Sequence, residues 1–161
     1  MESTFKIKIP GPPQAWTRPR FDRKGRRVFN TSRLDQWYDL AAATIAPAWG
    51  LTPPLSGPLA LEVHAITPRP QSIPAALKRL GWTAAKYRAH TGRILRATTP
   101  DLDNLIKAAG DALQGGKDRK GSPRPAVIND DSLIVKITAA KWYAAAGEAP
   151  GVELELWEVE I

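Results

Sequence analysis

The chain has 161 residues, 43% of them hydrophobic and 24% charged, which suits one globular domain and excludes a largely disordered chain or a multidomain machine. It has no cysteine and only two histidines, His64 and His90, so disulfides, thiolate chemistry and sulfur- or imidazole-rich zinc sites are excluded, and any metal is expected on oxygen ligands. The formal net charge of +7 points to a polyanionic partner, because a basic surface steers phosphates and gains affinity by releasing counterions.

That charge is segregated along the chain. Residues 1–100 carry 16 Lys and Arg against 5 Asp and Glu, net +11, whereas residues 101–161 carry 7 against 11, net −4. The first part is suited to track a phosphate backbone; the second either binds cations or stays solvated. The N-terminal MESTFKIKIP has no apolar signal segment, and the longest apolar stretch, Leu40 to Leu51, is interrupted by Pro47 and too short for a bilayer. A soluble, cytoplasmic protein is expected, with neither a membrane nor a nucleotide cofactor among its partners.

In chain order, Phe5, Ile7 and Ile9 alternate with lysines and predict a first strand, stopped by Pro10-Gly11-Pro12-Pro13. The loop from Gln14 to Asn30 mixes Arg18, Arg20, Arg23, Lys24, Arg26 and Arg27 with Trp16, Phe21 and Phe29. Such a mixture suits phosphates and stacked bases, and equally a solvated hairpin. Leu34, Trp37, Tyr38, Ala41, Ile45 and Ala48 recur at helical spacing and predict a core helix over 33–49, with Thr31 or Ser32 as N-cap and Gly50 past its end. Its aromatic residues are read as packing or a dimer contact. Leu59, Leu61, Val63 and Ala65 predict a second strand, with His64 inert on its outer face.

Residues 67–100 form a basic arm without a single acid; one short helix is expected near Ile73 to Leu80, and Trp82 and Tyr87 either stack on bases or anchor the arm. After Pro100, Leu102, Leu105, Ile106, Ala109 and Leu113 line one stripe of a helix closed by Gly115-Gly116. A Gly, Pro and Lys-rich loop follows. Leu133, Val135 and Ile137 then predict a third strand and Val152, Leu154 and Leu156 a fourth, whose phase changes at Trp157 and suggests a bulge or burial on both faces. The result is an α/β domain with a small mixed β-sheet of about four strands packed with two main helices.

The chemistry concentrates at Asp101, Asp103, Lys107 and Asp111, with Asp130-Asp131 opening the third strand. Phosphodiester hydrolysis needs charge neutralised on the non-bridging oxygens and a nucleophilic water, which hard divalent cations on carboxylates supply; such a cluster suits Mg²⁺. A lysine one turn after the acids can set its ammonium beside the scissile phosphate. Aspartate at a helix start also satisfies free N–H groups, and an acidic pair before a strand also makes a turn, but a cap accounts for one aspartate and not for four.

At these residues the chain resembles the RusA family of Holliday junction resolvases, encoded largely by bacteria and their prophages. The resemblance rests on Ile9-Pro10-Gly11-Pro12-Pro13, Arg18-Pro19-Arg20, the segment from Pro100 through Lys107, Asp111-Ala112-Leu113 and Asp130-Asp131. It covers most of the chain except the arm. It implies a single RusA-like domain over 1–161 in which Asp101, Asp103 and Asp131 hold the catalytic Mg²⁺, or Mn²⁺ in its place, and Lys107 assists. Asp111 falls in the family's pattern, and Asp130 and Asp131 can exchange roles, the second being assigned here. The resemblance further implies a homodimer that binds a four-way DNA junction and cuts two strands symmetrically, in recombination, repair or phage DNA processing. Arg18, Arg20, Lys78 and Arg79 would hold backbone phosphates. The loop from Gly115 to Asn129 looks longer than is usual in the family and has no tryptophan before the acidic pair.

Two other readings are open to the same residues. A non-enzymatic architectural DNA-binding protein uses the basic part and leaves the acids without a role. A restriction-type nuclease pairs Pro100-Asp101 with Asp118-Arg119-Lys120, although that pattern calls for a strand where this sequence has a Gly-rich loop.

Overall fold

The computed structural model describes residues 4–22, 24, 25 and 28–161, and of Val28 and Phe29 the backbone alone. Arg23, Arg26 and Arg27 of the basic loop lie outside the described residues. The elements run β1 (Phe5–Pro10), β2 (Arg20–Phe21), β3 (Val28–Phe29), α1 (Ser32–Trp49), β4 (Leu59–Thr67), α2 (Ala75–Arg79), α3 (Ala84–Ala89), β5 (Ile94–Leu95), α4 (Leu102–Gln114), a 3₁₀ turn (Asp131–Leu133), β6 (Ile134–Tyr143) and β7 (Gly151–Glu158). Five strands form a mixed sheet in the order β1-β7-β4-β6-β5, and β2 with β3 makes a separate hairpin. The α/β class and the two main helices are as expected; the fifth strand, β5, is only two residues long.

Alternation decides which face of the sheet is covered. Leu59, Leu61, Val63 and Ala65 of β4 are buried with Val152, Leu154 and Leu156 of β7 and Ile9 of β1, and α1 and α4 lie over this face. Burying one such aliphatic side chain contributes about 1.5–3 kcal/mol, so this layer carries most of the fold's stability. The other face is lined with charge, including the pairs Lys6–Glu155 at 3.2 Å and His64–Glu62 at 2.5 Å. His64 also accepts from the Trp142 indole at 2.9 Å, which places it in a structural network, in keeping with its outer-face position.

α4 deviates from its expected stripe. Leu105, Ala109 and Leu113 are buried, but so are Ala108, Gly110 and Ala112, while Leu102 and Ile106 are half-exposed. Small residues let the helix backbone approach its neighbours closely, and the face rotates toward them. In α1, Thr31 occupies the N-cap position without a side-chain cap bond, and the helix continues through Pro47 to Trp49.

Two strand expectations are corrected. Leu133 belongs to the 3₁₀ turn, and Val135 and Ile137 are 60% and 46% exposed. β6 has β4 on one side, while β5 pairs only with Trp142 and Tyr143, so the alternating apolar residues lie along an uncovered sheet edge. The phase change at Trp157 marks no bulge: β7 keeps an unbroken register with β4 as far as Glu158, where it ends, and Ile161 is exposed.

The arm is a folded unit. α2 falls where a helix was expected, and α3 and β5 follow it. Leu77, Tyr87, Ile94 and Tyr143 form a second small core flanked by Ile73 and Trp82, so Tyr87 anchors the arm, with its hydroxyl donating to the Pro70 carbonyl at 2.5 Å. Trp82 lies under the Lys86 ammonium at 4.1 Å. The acids missing from the arm come from the β6–β7 region: Arg93 donates to Glu148 at 2.7 Å and to Glu153 at 2.6 Å. Arg69 is also consumed, on the carbonyls of Tyr87, His90 and Gly92. Lys78 and Arg79 stay exposed in the last turn of α2.

Candidate active site

The site is built on α4. Asp101 is its N-cap residue, yet its side chain makes no cap hydrogen bond, so the carboxylate is not spent on the helix. Asp103, Lys107 and Asp111 follow at i+4 intervals and share one face. Asp103 accepts the neighbouring Asn104 N–H at 3.0 Å. The chain before the helix is tied down by Lys141 of β6, whose ammonium donates to the carbonyls of Thr98 at 2.7 Å and Pro100 at 2.8 Å. Arg96 holds the same segment through Thr98 at 3.0 Å and the Thr99 carbonyl.

The acidic pair divides into two roles. Asp130 caps the 3₁₀ turn, accepting from the Ser132 N–H at 2.8 Å, and the Ser132 side chain first and this N–H second hold its carboxyl below the usual range. Asp131 instead lies against Gly110 of α4, where a Cβ on the glycine would stand 3.9 Å from the aspartate's own Cβ. Asp131 thus stands beside α4, while Asp130 is engaged in the turn.

The Asp131 charge acts on Asp111 there, and so does the Lys107 ammonium. Burial pushes the Asp111 carboxyl above its ordinary range; the Tyr38 hydroxyl and the Lys107 ammonium draw it back, and the Asp131 charge adds to the rise. Tyr38, buried in α1, donates to Asp111 Oδ2 at 3.0 Å. Its phenol is held well above the usual value, by burial first and then by the Asp111 charge, so it remains a donor at any ordinary pH. Lys107 stands 4.7 Å from the centroid of Trp16, whose N–H binds the Asn104 carbonyl at 2.9 Å. Trp16, one of the rings open to base stacking on sequence grounds, thus packs partly against the core and steadies the lysine.

Asp101 and Asp103 belong to the helix start, whereas Asp131 meets it at Gly110; seven residues of helix from 103 to 110 rise about 10 Å. Among the described residues, no three acidic or imidazole side chains stand close enough together to hold one ion. The candidate donors are all carboxylate oxygens, the type a hard divalent cation takes, and Asp101 spends no side-chain bond on the helix. Asp101, Asp103, Lys107 and Asp131 are all exposed, which suits a substrate too large for a closed pocket. Arg18 and Arg20 are exposed as well.

The restriction-type alternative loses its acid. Asp118 Oδ1 accepts the N–H groups of Lys120 at 2.9 Å and Ser122 at 2.8 Å, so it builds a turn in the loop after α4.

Sequence reasoning missed Tyr38, Lys141 and Arg96 as supports of the site. Tyr38 carried a signal, since a tyrosine in an apolar helix stripe must find a partner for its hydroxyl. Nothing local marks Lys141, whose partners are backbone carbonyls about forty residues away in sequence.

The fold and this exposed, carboxylate-bearing helix face define a nuclease-type enzyme. The model of the family described as Endodeoxyribonuclease RusA matches residues 10–156, the basic arm included. The chain belongs to the RusA family, and is thus an endodeoxyribonuclease of the class that resolves Holliday junctions. It is also 27% identical over 156 residues, 96% of each chain, to a Bacillus subtilis (strain 168) protein described as uncharacterized protein YqaN.

Proposed function

We propose that this enzyme cuts four-way DNA junctions by paired, symmetric, Mg²⁺-dependent hydrolysis, with Asp101, Asp103 and Asp131 as cation ligands and Lys107 at the scissile phosphate. The observation that carries this reading is the placement of Asp131 against Gly110 of α4, within electrostatic reach of Asp111. A chain segment from the far side of the loop after α4 is thereby brought to the same helix whose start carries Asp101 and Asp103.

When bound, the divalent cation supplies charge neutralisation at the non-bridging oxygens and lowers the pKa of a water. The protein's part is to hold the groups still. Lys107, steadied over Trp16, offers an ammonium to the phosphate. Tyr38 fixes Asp111, whose charge in turn attracts Lys107. Arg18, Arg20, Lys78 and Arg79 grip backbone phosphates and set position without reading sequence.

Symmetric cutting calls for two sites related by a twofold axis, hence a homodimer. The edge of β6 from Ile134 to Ala140, unpaired among the described residues and carrying exposed Val135 and Ile137, supports that reading. An antiparallel pairing of two such edges centred on Ile137 would set Lys136 opposite Thr138 of the second copy and avoid a like-charge pair. No helix among the described residues is long and apolar enough to cross a membrane, and we place the enzyme in the cytoplasm, in recombination, repair or phage DNA processing.

The test is cleavage of a synthetic four-way junction beside a linear duplex of matched sequence, in Mg²⁺ or EDTA, by the native chain and Asp103→Asn. Paired nicks on the junction alone, absent in EDTA and in the variant, are expected. Junction binding without any cut would favour the architectural reading instead.

A further inference from the structure

Beside Asp111 lies a cleft of about 390 Å³, most of whose lining residues have no part in the reaction above. Asn30, Gln114 and Asn129 are among its lining residues, with the cations Lys117 and Arg124 and with Asp111, which it shares with the site. The volume lies within the range of sites that take one small molecule, about 300–1,000 Å³. It admits a single nucleotide and excludes a duplex.

The cleft is built from fixed parts. Its outer wall is the long loop that follows α4, pinned to α1 by ion pairs of Arg119 with Asp35 and of Arg124 with Asp39, the latter at 2.8 Å. Gly115 turns the chain into that loop at φ +83°, with the Arg124 and Pro125 carbonyls 2.8 Å from where a Cβ would sit, so only glycine fits there. The Arg124 guanidinium lies 5.5 Å from the centroid of the Tyr38 ring. A loop held this firmly presents a preformed wall.

The chemistry of the lining selects the occupant. Gln114 and Asn129 make no side-chain hydrogen bond with any described residue, and Asn30 uses only its Nδ2, on Asp35 at 3.3 Å. A side-chain amide offers an acceptor and a donor side by side, the pattern that matches a base edge, and a phosphate needs no acceptor. A guanidinium plane is a surface on which bases stack, and Lys117 can meet the attached phosphate. Bases at the crossover of a junction have lost part of their stacking, which lowers the cost of turning one outward.

We infer that this cleft receives one unstacked nucleobase of the strand being cut, and that Gln114 and Asn129 read its edge and set the enzyme's nucleotide preference. The inference rests on the proposed junction cleavage for its consequence, and on the cleft alone for binding.

Two measurements separate these. In EDTA, junctions carrying 2-aminopurine at successive crossover positions are bound by the native chain and by Gln114→Ala/Asn129→Ala. A severalfold fluorescence rise at one position with the native chain, lost in the double variant while junction affinity stays within about threefold, is expected. In Mg²⁺, a panel of junctions with every dinucleotide at the crossover is cut. The native chain should rank them over about tenfold or more, as one bidentate amide contact implies, and the double variant should flatten that ranking. Gln114→Glu, nearly isosteric, should shift the ranking toward cytosine, which offers an amino donor. No fluorescence rise with the native chain, or a ranking unchanged in both variants, overturns the inference. A fluorescence rise that depends on the two amides, with no cutting of any junction, upholds the cleft and overturns the cleavage reading.

Discussion

Tyr38, in the middle of α1, donates its hydroxyl to Asp111 Oδ2 on α4 at 3.0 Å, tying the two main helices together at the edge of the active site. Both partners are removed from bulk water, so the bond is a charge-assisted one in a poorly solvated place. Tyr38→Phe keeps the ring and deletes the bond, leaving the Asp111 carboxylate without its donor. The variant should lose about 1–2 kcal/mol of stability, seen as a Tm lower by about 3–6 °C. Junction cleavage should fall about tenfold through the loosened Asp111, with junction affinity unchanged; a variant that unfolds and cleaves like the native protein contradicts this role.

Asp131 and Asp111 repel each other across the α4 contact. Removing one charge relieves that repulsion, so in EDTA Asp131→Asn should be at least as stable as the native chain. A divalent cation bound by these carboxylates stabilises the fold by mass action, about 1.4 kcal/mol at ten times its Kd. Thermal unfolding in Mg²⁺ against an equal ionic strength of NaCl should show a rise of about 3–5 °C for the native chain and none for Asp131→Asn. Equal rises in both would remove Asp131 from the ligand set.

The uncovered edge of β6 makes its own prediction. Ile137 lies at the centre of the free stretch, so Ile137→Lys places two ammonium groups opposite each other in the symmetric pairing and costs little in the isolated monomer. Light scattering should give a dimer for the native chain and a monomer for the variant, and junction products should change from paired cuts to single nicks. A variant that remains dimeric rules out this edge.

The cations of the arm divide into structural and free ones. Arg93 bridges Glu148 and Glu153, so Arg93→Ala should cost about 1–2 kcal/mol in urea unfolding at neutral pH, between the values of exposed and buried pairs. The hydrogen bonds from Arg93 hold the Glu148 carboxyl below its ordinary value of 4.5. Its contribution is therefore complete above that value and disappears as the pH falls through the lowered one, so native and variant stabilities should converge in acid. Lys78→Ala/Arg79→Ala should leave stability unchanged and reduce the salt slope of junction binding by about 2, near 0.9 for each phosphate that the variant no longer neutralises.

Periodicity and turn chemistry made the frame legible: the alternation of β1 and β4, the stripe of α1 as far as Ile45 and the glycines after α4 stand where the residues put them, while Ala48, past Pro47 at the end of α1, is exposed. The arm's order was hidden because its neutralising acids, Glu148 and Glu153, lie more than fifty residues downstream of Arg93. The exposed apolar face of β6 was hidden for a related reason, since alternation reveals which residues share a face and not what covers it. At the site, the aspartates and Lys107 were visible as residue types in a spacing. The division of labour between Asp130 and Asp131 was not, because it depends on a 3₁₀ turn that satisfies one carboxylate and aims its neighbour at Gly110.

In the proposed site Asp131, and not Asp130, acts with the carboxylates of α4. Junction cleavage in Mg²⁺ by Asp131→Asn and Asp130→Asn, with binding measured alongside, tests this assignment directly. Asp131→Asn should bind the junction and cut it at least about 100-fold more slowly, the scale of losing a group that acts on the reacting atoms, while Asp130→Asn should stay within about fivefold of the native rate. Cleavage lost in Asp130→Asn and retained in Asp131→Asn would contradict it.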